Sequence, residues 1–263
     1  MPMAHMDGFT YGWVNPVLAY LVACVGAALG LRCTVRALAL PRDRRGGWLL
    51  LAATTIGCGI WTMHFIAMMG FSVTGASVVY NIPLTLASLL VAVLVVGFGV
   101  FYVGYRPPSV GTLLIGGTLT GLGVAGMHYL GMAAMDVAGT VQYNLGIVAA
   151  SVGIAVFAAT AALWMTLNIR RLWASAASAL IAGVAVCAMH YTAMQAVSVK
   201  LNPTATAVGF PAAQFVLPVG IGIVVFLTIV AIVVAMSPEP RDQDEVEEAP
   251  ERIAVTLFEG RLR

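Results

Sequence analysis

Apolar residues fall in seven long blocks along this chain, at about residues 13–31, 48–69, 82–104, 111–133, 145–167, 174–197 and 213–236. Each is close to the ~20 residues an α-helix needs to cross the hydrocarbon core of a bilayer. The breaks between blocks hold turn formers and charges, such as Pro41-Arg42-Asp43-Arg44-Arg45 and Arg106-Pro107-Pro108. The pattern predicts an all-α, polytopic membrane protein with seven transmembrane helices. Met1 to Thr10 contains no basic residue ahead of the first block. That block therefore reads as a retained helix rather than a signal peptide.

Charge orients the spans. The first loop holds Arg32, Arg36, Arg42, Arg44 and Arg45, the third Arg106, and the fifth Arg170 and Arg171. The second and fourth loops hold no basic residue, and the sixth only Lys200. Short cytoplasmic loops are enriched in Lys and Arg, so the N-terminus is expected outside the cell membrane and the C-terminus in the cytoplasm. Composition agrees with a lipid environment. Hydrophobic residues make up 60% of the chain and charged ones 9%, against roughly 25% charged in a soluble domain. Mean hydropathy is +0.95. No basic stripe is available for nucleic acid. Residues 1–236 are expected to form one membrane domain, and residues 237–263 a short acidic cytoplasmic tail whose charge suggests disorder. The tail holds no kinase or nucleotide-binding motif, so any output would pass through a separate cytoplasmic or membrane partner.

Three of the blocks end alike. The second ends Met63-His64-Phe65-Ile66-Ala67-Met68, the fourth Met127-His128-Tyr129-Leu130-Gly131-Met132, and the sixth Met189-His190-Tyr191-Thr192-Ala193-Met194. Each histidine has Met at −1 and +4, and the cluster recurs about every 60 residues, one helix pair. A fixed period of this kind marks a repeated unit, so the core is expected to be three helix hairpins plus an N-terminal helix. Tyr80-Asn81 and Tyr143-Asn144 enter the third and fifth blocks, and Leu201-Asn202 stands in the corresponding loop of the third copy. Gly26/Gly30 and Gly117/Gly121 have small-xxx-small spacing, read as helix packing.

The clusters carry the chemistry. Residues i and i+4 share a helix face, so His64 and Met68 project together, as do His128 with Met132 and His190 with Met194. Met63, Met127 and Met189 lie about 100° further round. Thioether beside imidazole favours copper, above all Cu(I); carboxylate is nearly absent, with Asp136 and Asp7 the only acidic residues on that side. Ionisable groups inside a membrane are costly and usually functional. The plainer reading makes the histidines interhelical hydrogen-bonding groups, their three copies the product of duplication. Met3, His5 and Met6 could add ligands, although a disordered start is the expectation there. Cys24, Cys33, Cys58 and Cys187 lack paired spacing and read as buried thiols. Trp13, Trp48, Trp61, Trp164 and Trp173 read mostly as interfacial anchors.

At these motifs the chain resembles the MHYT family of bacterial membrane sensor domains, named for a Met-His-Tyr-Thr signature that Met189-His190-Tyr191-Thr192 matches in full. The other two copies are close variants, and the resemblance covers about residues 10–236. It implies seven helices whose outer-face motifs bind copper and respond to oxygen, carbon monoxide or nitric oxide. On that resemblance the metal ligands are Met63, His64, Met127, His128, Met189 and His190, with Met68, Met132 and Met194 alongside. Phe65 departs from the signature and can give no hydroxyl. Many relatives are fused to a cyclic-dinucleotide enzyme, a kinase or a DNA-binding domain.

Two other classes compete with a copper-dependent gas sensor. One is a copper-binding or delivery protein without a signal; the other is a haem protein with His/Met axial ligands. Proton-coupled transport is disfavoured, because the spans hold almost no Asp, Glu or Lys. Lys200, the only lysine, lies in a loop, so no lysine within the last span can form a retinal Schiff base. No Ser/His/Asp set, carboxylate pair or phosphate loop points to an enzyme.

Overall fold

Seven long helices make up most of the computed structural model, which describes residues 4–168, 172–202 and 204–237. They are α1 Val14–Ala39, α2 Gly46–Met69, α3 Ile82–Tyr105, α4 Val110–Ala133, α5 Leu145–Asn168, α6 Leu172–Gln195 and α7 Ala212–Met236. All seven are long and apolar enough to cross a membrane, and side chains such as Phe98, Phe157 and Ile221 point outward, exposed. The chain is a seven-helix membrane protein. The helix bounds depart most from the apolar pattern at α1, which continues to Ala39 through Arg32 and Arg36. Arg36 is buried, and its Nη2 donates to the carbonyls of Val234 (2.8 Å) and Ser237 (2.7 Å) at the end of α7. A helix C-terminus leaves carbonyls without partners and carries partial negative charge, so a guanidinium there lets the helix hold an arginine. Ser237 is thereby part of the α7 terminus. Arg170, Arg171, Met3 and residues 238–263, with the acidic tail, lie outside the described residues.

Helix starts explain the recurring dipeptide. Asn81 Oδ1 accepts from Leu84 N at 3.0 Å, and Asn144 Oδ1 accepts from Gly146 N at 3.0 Å and Ile147 N at 3.3 Å. Each asparagine satisfies amides that the first turn would leave orphaned. In the third copy Asn202 Oδ1 instead accepts from the Thr204 amide and hydroxyl. There α7 starts only at Ala212, after Pro211.

At the end of the bundle that carries the motifs, the connections pair as three short antiparallel ribbons. β1 (Met6–Asp7) pairs with β2 (Ser72–Val73), β3 (Val78–Tyr80) with β4 (Met135–Val137), and β5 (Gly139–Tyr143) with β6 (Val197–Leu201). The apolar pattern gave only loops here, because each strand's partner lies about 60 residues away. Pairing satisfies backbone groups that lie against an apolar bundle. The expected disordered start is corrected over residues 4–7: Ala4 N donates to Val199 O, and Thr74 N to His5 O.

Helices α1 to α6 close a ring in chain order. Along it α3 stands between α2 and α4, and α5 between α4 and α6. The slot between α6 and α2, which repeat symmetry would give to α7, is filled by α1, and α7 lies outside against α1 and α2. Small residues permit this. A Cβ on Gly26 would lie 2.8 Å from the Gly59 Cα, so α1 and α2 touch backbone to backbone. Gly117 and Gly121 similarly receive Thr160 and Val156 of α5. Trp61 is not an interfacial anchor: it is fully buried, and its indole N–H lies within hydrogen-bonding reach of Ser88 Oγ at 3.0 Å. Trp13 and Trp173 are exposed.

Candidate metal centre

Each motif histidine stands five residues before the last residue of its helix, His64 in α2, His128 in α4 and His190 in α6. At 1.5 Å rise per residue that is about 7.5 Å below the helix end. Equal depth on three alternate helices of a six-helix ring brings the rings together at its axis. All three are 1% exposed. Their Nδ1 atoms form a triangle: His64 to His190 3.1 Å, His64 to His128 3.1 Å, and His128 to His190 3.3 Å. Any two of the rings stand nearly perpendicular, at 74–82°.

A triangle of ring nitrogens suits a cation. Each neutral Nδ1 offers, in the ring plane, either one N–H or one lone pair. Protons alone cannot satisfy three such atoms facing one point: one N–H can aim inward, and the other two nitrogens then oppose lone pairs. A cation at the middle meets all three. The centre of the triangle lies about 1.8 Å from each corner, close to the ~2.0–2.1 Å of metal–imidazole bonds, so a slight outward movement of the rings would seat a first-row metal. Among the described residues these three form a His/Cys/Asp/Glu group with such spacing, and it contains no carboxylate. The donor set fits copper or another imidazole-binding metal and disfavours magnesium or calcium. A haem does not fit, because three rings in mutual contact leave no space for a porphyrin between an axial pair.

The rings are oriented by packing. Each motif's aromatic residue stands edge-on to its own histidine: Phe65 to His64 at 4.7 Å, Tyr129 to His128 at 5.0 Å, and Tyr191 to His190 at 5.0 Å. The ring is the shared part, which explains why Phe65 can replace tyrosine. Its ring packs among other aromatics, Trp61, Tyr80 and Phe215, with Cζ beside Gly131, whereas the Tyr129 hydroxyl lies 2.7 Å from Ser151 Oγ. Burial also pushes the Tyr80 phenol above its usual range. Nε2 of His64 and of His128 has no hydrogen-bond partner. Gly131 of α4 lies against His64, where a Cβ would be 2.6 Å from Nε2.

The methionines do not share one place. Met63 packs with Ala19, Ala23 and Ala67. Met127, Met68 and Met132 lie in the cluster around Trp61 and Phe65. Met189 joins a deeper cluster with Val96 and Val124, and roofs an apolar cavity of about 110 Å³ inside the ring. Met194 is half-buried and lines, with Met68 and His190, a cleft at the motif end. That cleft also takes in Met6. Asp136 is turned elsewhere, its Oδ2 accepting from Val208 N, and Cys187 packs beside Met63.

A polytopic membrane protein built from three repeats around buried histidines is the class that this fold and site define. The model of the MHYT family, the bacterial signalling protein N-terminal repeat, matches three times, over residues 57–116, 121–179 and 183–244. The chain belongs to this family. It is similar to the bifunctional diguanylate cyclase/cyclic di-GMP phosphodiesterase MucR of Pseudomonas aeruginosa, 34% identical over 76% of this chain and 30% of the relative. The cyclic di-GMP phosphodiesterase NbdA of the same organism is 38% identical over 73% of this chain and 26% of the relative. An uncharacterized signaling protein of Caulobacter vibrioides is 30% identical over 91% of this chain and 30% of the relative. The chain thus spans less than a third of the length of these relatives, and no catalytic fold is found among the described residues. No solved structure matches it.

Proposed function

We propose that this chain is a membrane sensor that binds one copper ion through His64, His128 and His190 and responds to a diatomic gas. The single supporting observation is the triangle of Nδ1 atoms at 3.1–3.3 Å, buried and without a carboxylate. Copper held there would supply an open coordination position for oxygen, carbon monoxide or nitric oxide. The chain's own part is geometric. The three rings sit on α2, α4 and α6, so any change in their separation moves alternate helices of the ring against one another. A ligand shifts such an equilibrium only by its differential affinity for the two arrangements. Signalling relatives support an output through a cytoplasmic or membrane partner, or a fused domain. The charge pattern supports placing the motif end outside the cell: Arg42, Arg44, Arg45 and Arg106 cluster at the opposite end. Near-complete burial of the rings favours a resident ion over one in transit to another protein, the copper-delivery alternative.

Metal content of the detergent-purified protein, measured by mass spectrometry after copper loading, tests this reading. About one copper per chain is expected, and its loss in the variant H64A/H128A/H190A. Carbon monoxide added to the reduced protein should give an infrared C–O stretch that the variant lacks. A folded protein without copper would return the histidines to a purely structural role between helices.

A further inference from the structure

The three copies differ in what covers them at the motif end. Above His64, Phe65 is closed in by Tyr80 and Phe215. Above His128, Tyr129 is held by Ser151 and faces Tyr143 at 6.1 Å. The third copy has no such ribbon aromatic. Tyr191 is stacked instead on Phe9 of the N-terminal segment, at 5.6 Å with ring planes 10° apart. Beside that stack lies the cleft of about 250 Å³, with His190, and neither of the other two histidines, in its wall. Three thioethers line the same cleft, each from a different element: Met6 of β1, Met68 near the end of α2 and Met194 near the end of α6. Met6 is set in place by β1 pairing with Ser72–Val73.

Thioether sulfur is a soft, neutral ligand that selects Cu(I) over the hard cations abundant in water. Met68 is also part of the core beside Phe65, whereas Met6 and Met194 are half-buried at the cleft. Three thioethers around one cleft, with an imidazole in its wall, make a graded path from soft sulfur to nitrogen. We propose that this cleft is an entry site for a soft monovalent cation, in which Met6, Met68 and Met194 capture Cu(I) and pass it to His190. The transfer exchanges sulfur ligands for nitrogen with no change of oxidation state, and no proton moves if the accepting imidazole nitrogen carries a lone pair. It rests on the copper reading of the histidine triangle, and it assigns Met6, outside the three repeats, a part in loading.

The test uses the full chain in lipid nanodiscs, loaded with Cu(I) from a chelator buffer and followed by stopped-flow competition. Leucine conserves the volume of methionine without the sulfur. The variant M6L/M68L/M194L should reach the same final copper content but load about tenfold more slowly, because the soft sulfur ligands that would capture Cu(I) at the cleft are gone. M6L alone, on a short exposed segment, should slow loading by a smaller factor and guards against misfolding of the triple variant. With Ag(I) kept in excess, so that an entry site too weak to retain copper through purification is still filled, X-ray absorption of H64A/H128A/H190A should show sulfur coordination that M6L/M68L/M194L lacks. Unchanged loading rates in both leucine variants would overturn the cleft proposal while leaving the histidine centre intact. A wild-type chain that takes up no copper at all would overturn the reading on which it rests.

Discussion

At the scale of single residues the centre is controlled by what stands beside each imidazole. The second motif has Gly131 where the others have Ala67 and Ala193, and the reason is contact: a methyl there would lie 2.6 Å from His64 Nε2. On the copper reading proposed above, G131A should displace the His64 ring and weaken copper binding at least tenfold, as read by chelator competition, with helical content unchanged. G126A, on the same helix with nothing within 4 Å of the added methyl, should leave copper binding unaltered. Phe65 makes the complementary point. It is fully buried against Trp61, Tyr80 and Phe215, so restoring the family tyrosine with F65Y would desolvate a hydroxyl in a closely packed site beside Gly131. Thermal unfolding in detergent should show a loss of about 1–3 kcal/mol, with copper stoichiometry preserved because the ring edge still faces His64. Sequence made the histidines visible through their recurrence. It could not tell which of the nine candidates converge, since spacing on a helix fixes relative depth and not which face meets the bundle axis.

At the scale of elements, the repeats are legible as hairpins because each begins and ends with local signals. Asn81 and Asn144 cap α3 and α5 directly. N81A and N144A should each destabilise the protein by about 1 kcal/mol. N202A should cost less, since Asn202 closes a turn ten residues ahead of α7; thermal melts of the three variants compare them. The ribbons were not legible. A two-residue or three-residue strand has no periodicity to read, and its partner belongs to another repeat. The arginines of α1 misled for a similar reason: Arg32 and Arg36 look like loop charges until the end of α7, 200 residues on, gives Arg36 two carbonyls.

The whole molecule is held by one substitution of symmetry. Three hairpins would by themselves place α7 between α6 and α2, yet α1 occupies that slot and α7 packs outside. The exchange depends on Gly26 and Gly59 meeting backbone to backbone. G59V would force α1 away from α2 and open the ring beside two of the three histidine-bearing helices. Overpacking of this kind costs about 1–3 kcal/mol or more. The expected outcome is a lower melting temperature together with weaker copper binding, measured on the same purified sample; a drop in stability alone would mean that ring closure and the centre are independent.

Length and apolarity of the blocks determined seven spans, because a chain in lipid must satisfy every backbone group within a helix. Recurrence of Met-His-aromatic-x-x-Met determined that three equivalent places exist and that histidine is their common feature. Only the tertiary structure decided that the three places are one. The period along the chain sets the depth of each histidine, but which helix faces are turned toward a common axis depends on packing among helices far apart in sequence. That packing, with α1 closing the ring and the N-terminal segment covering the third copy, converges the imidazoles and disperses the methionines.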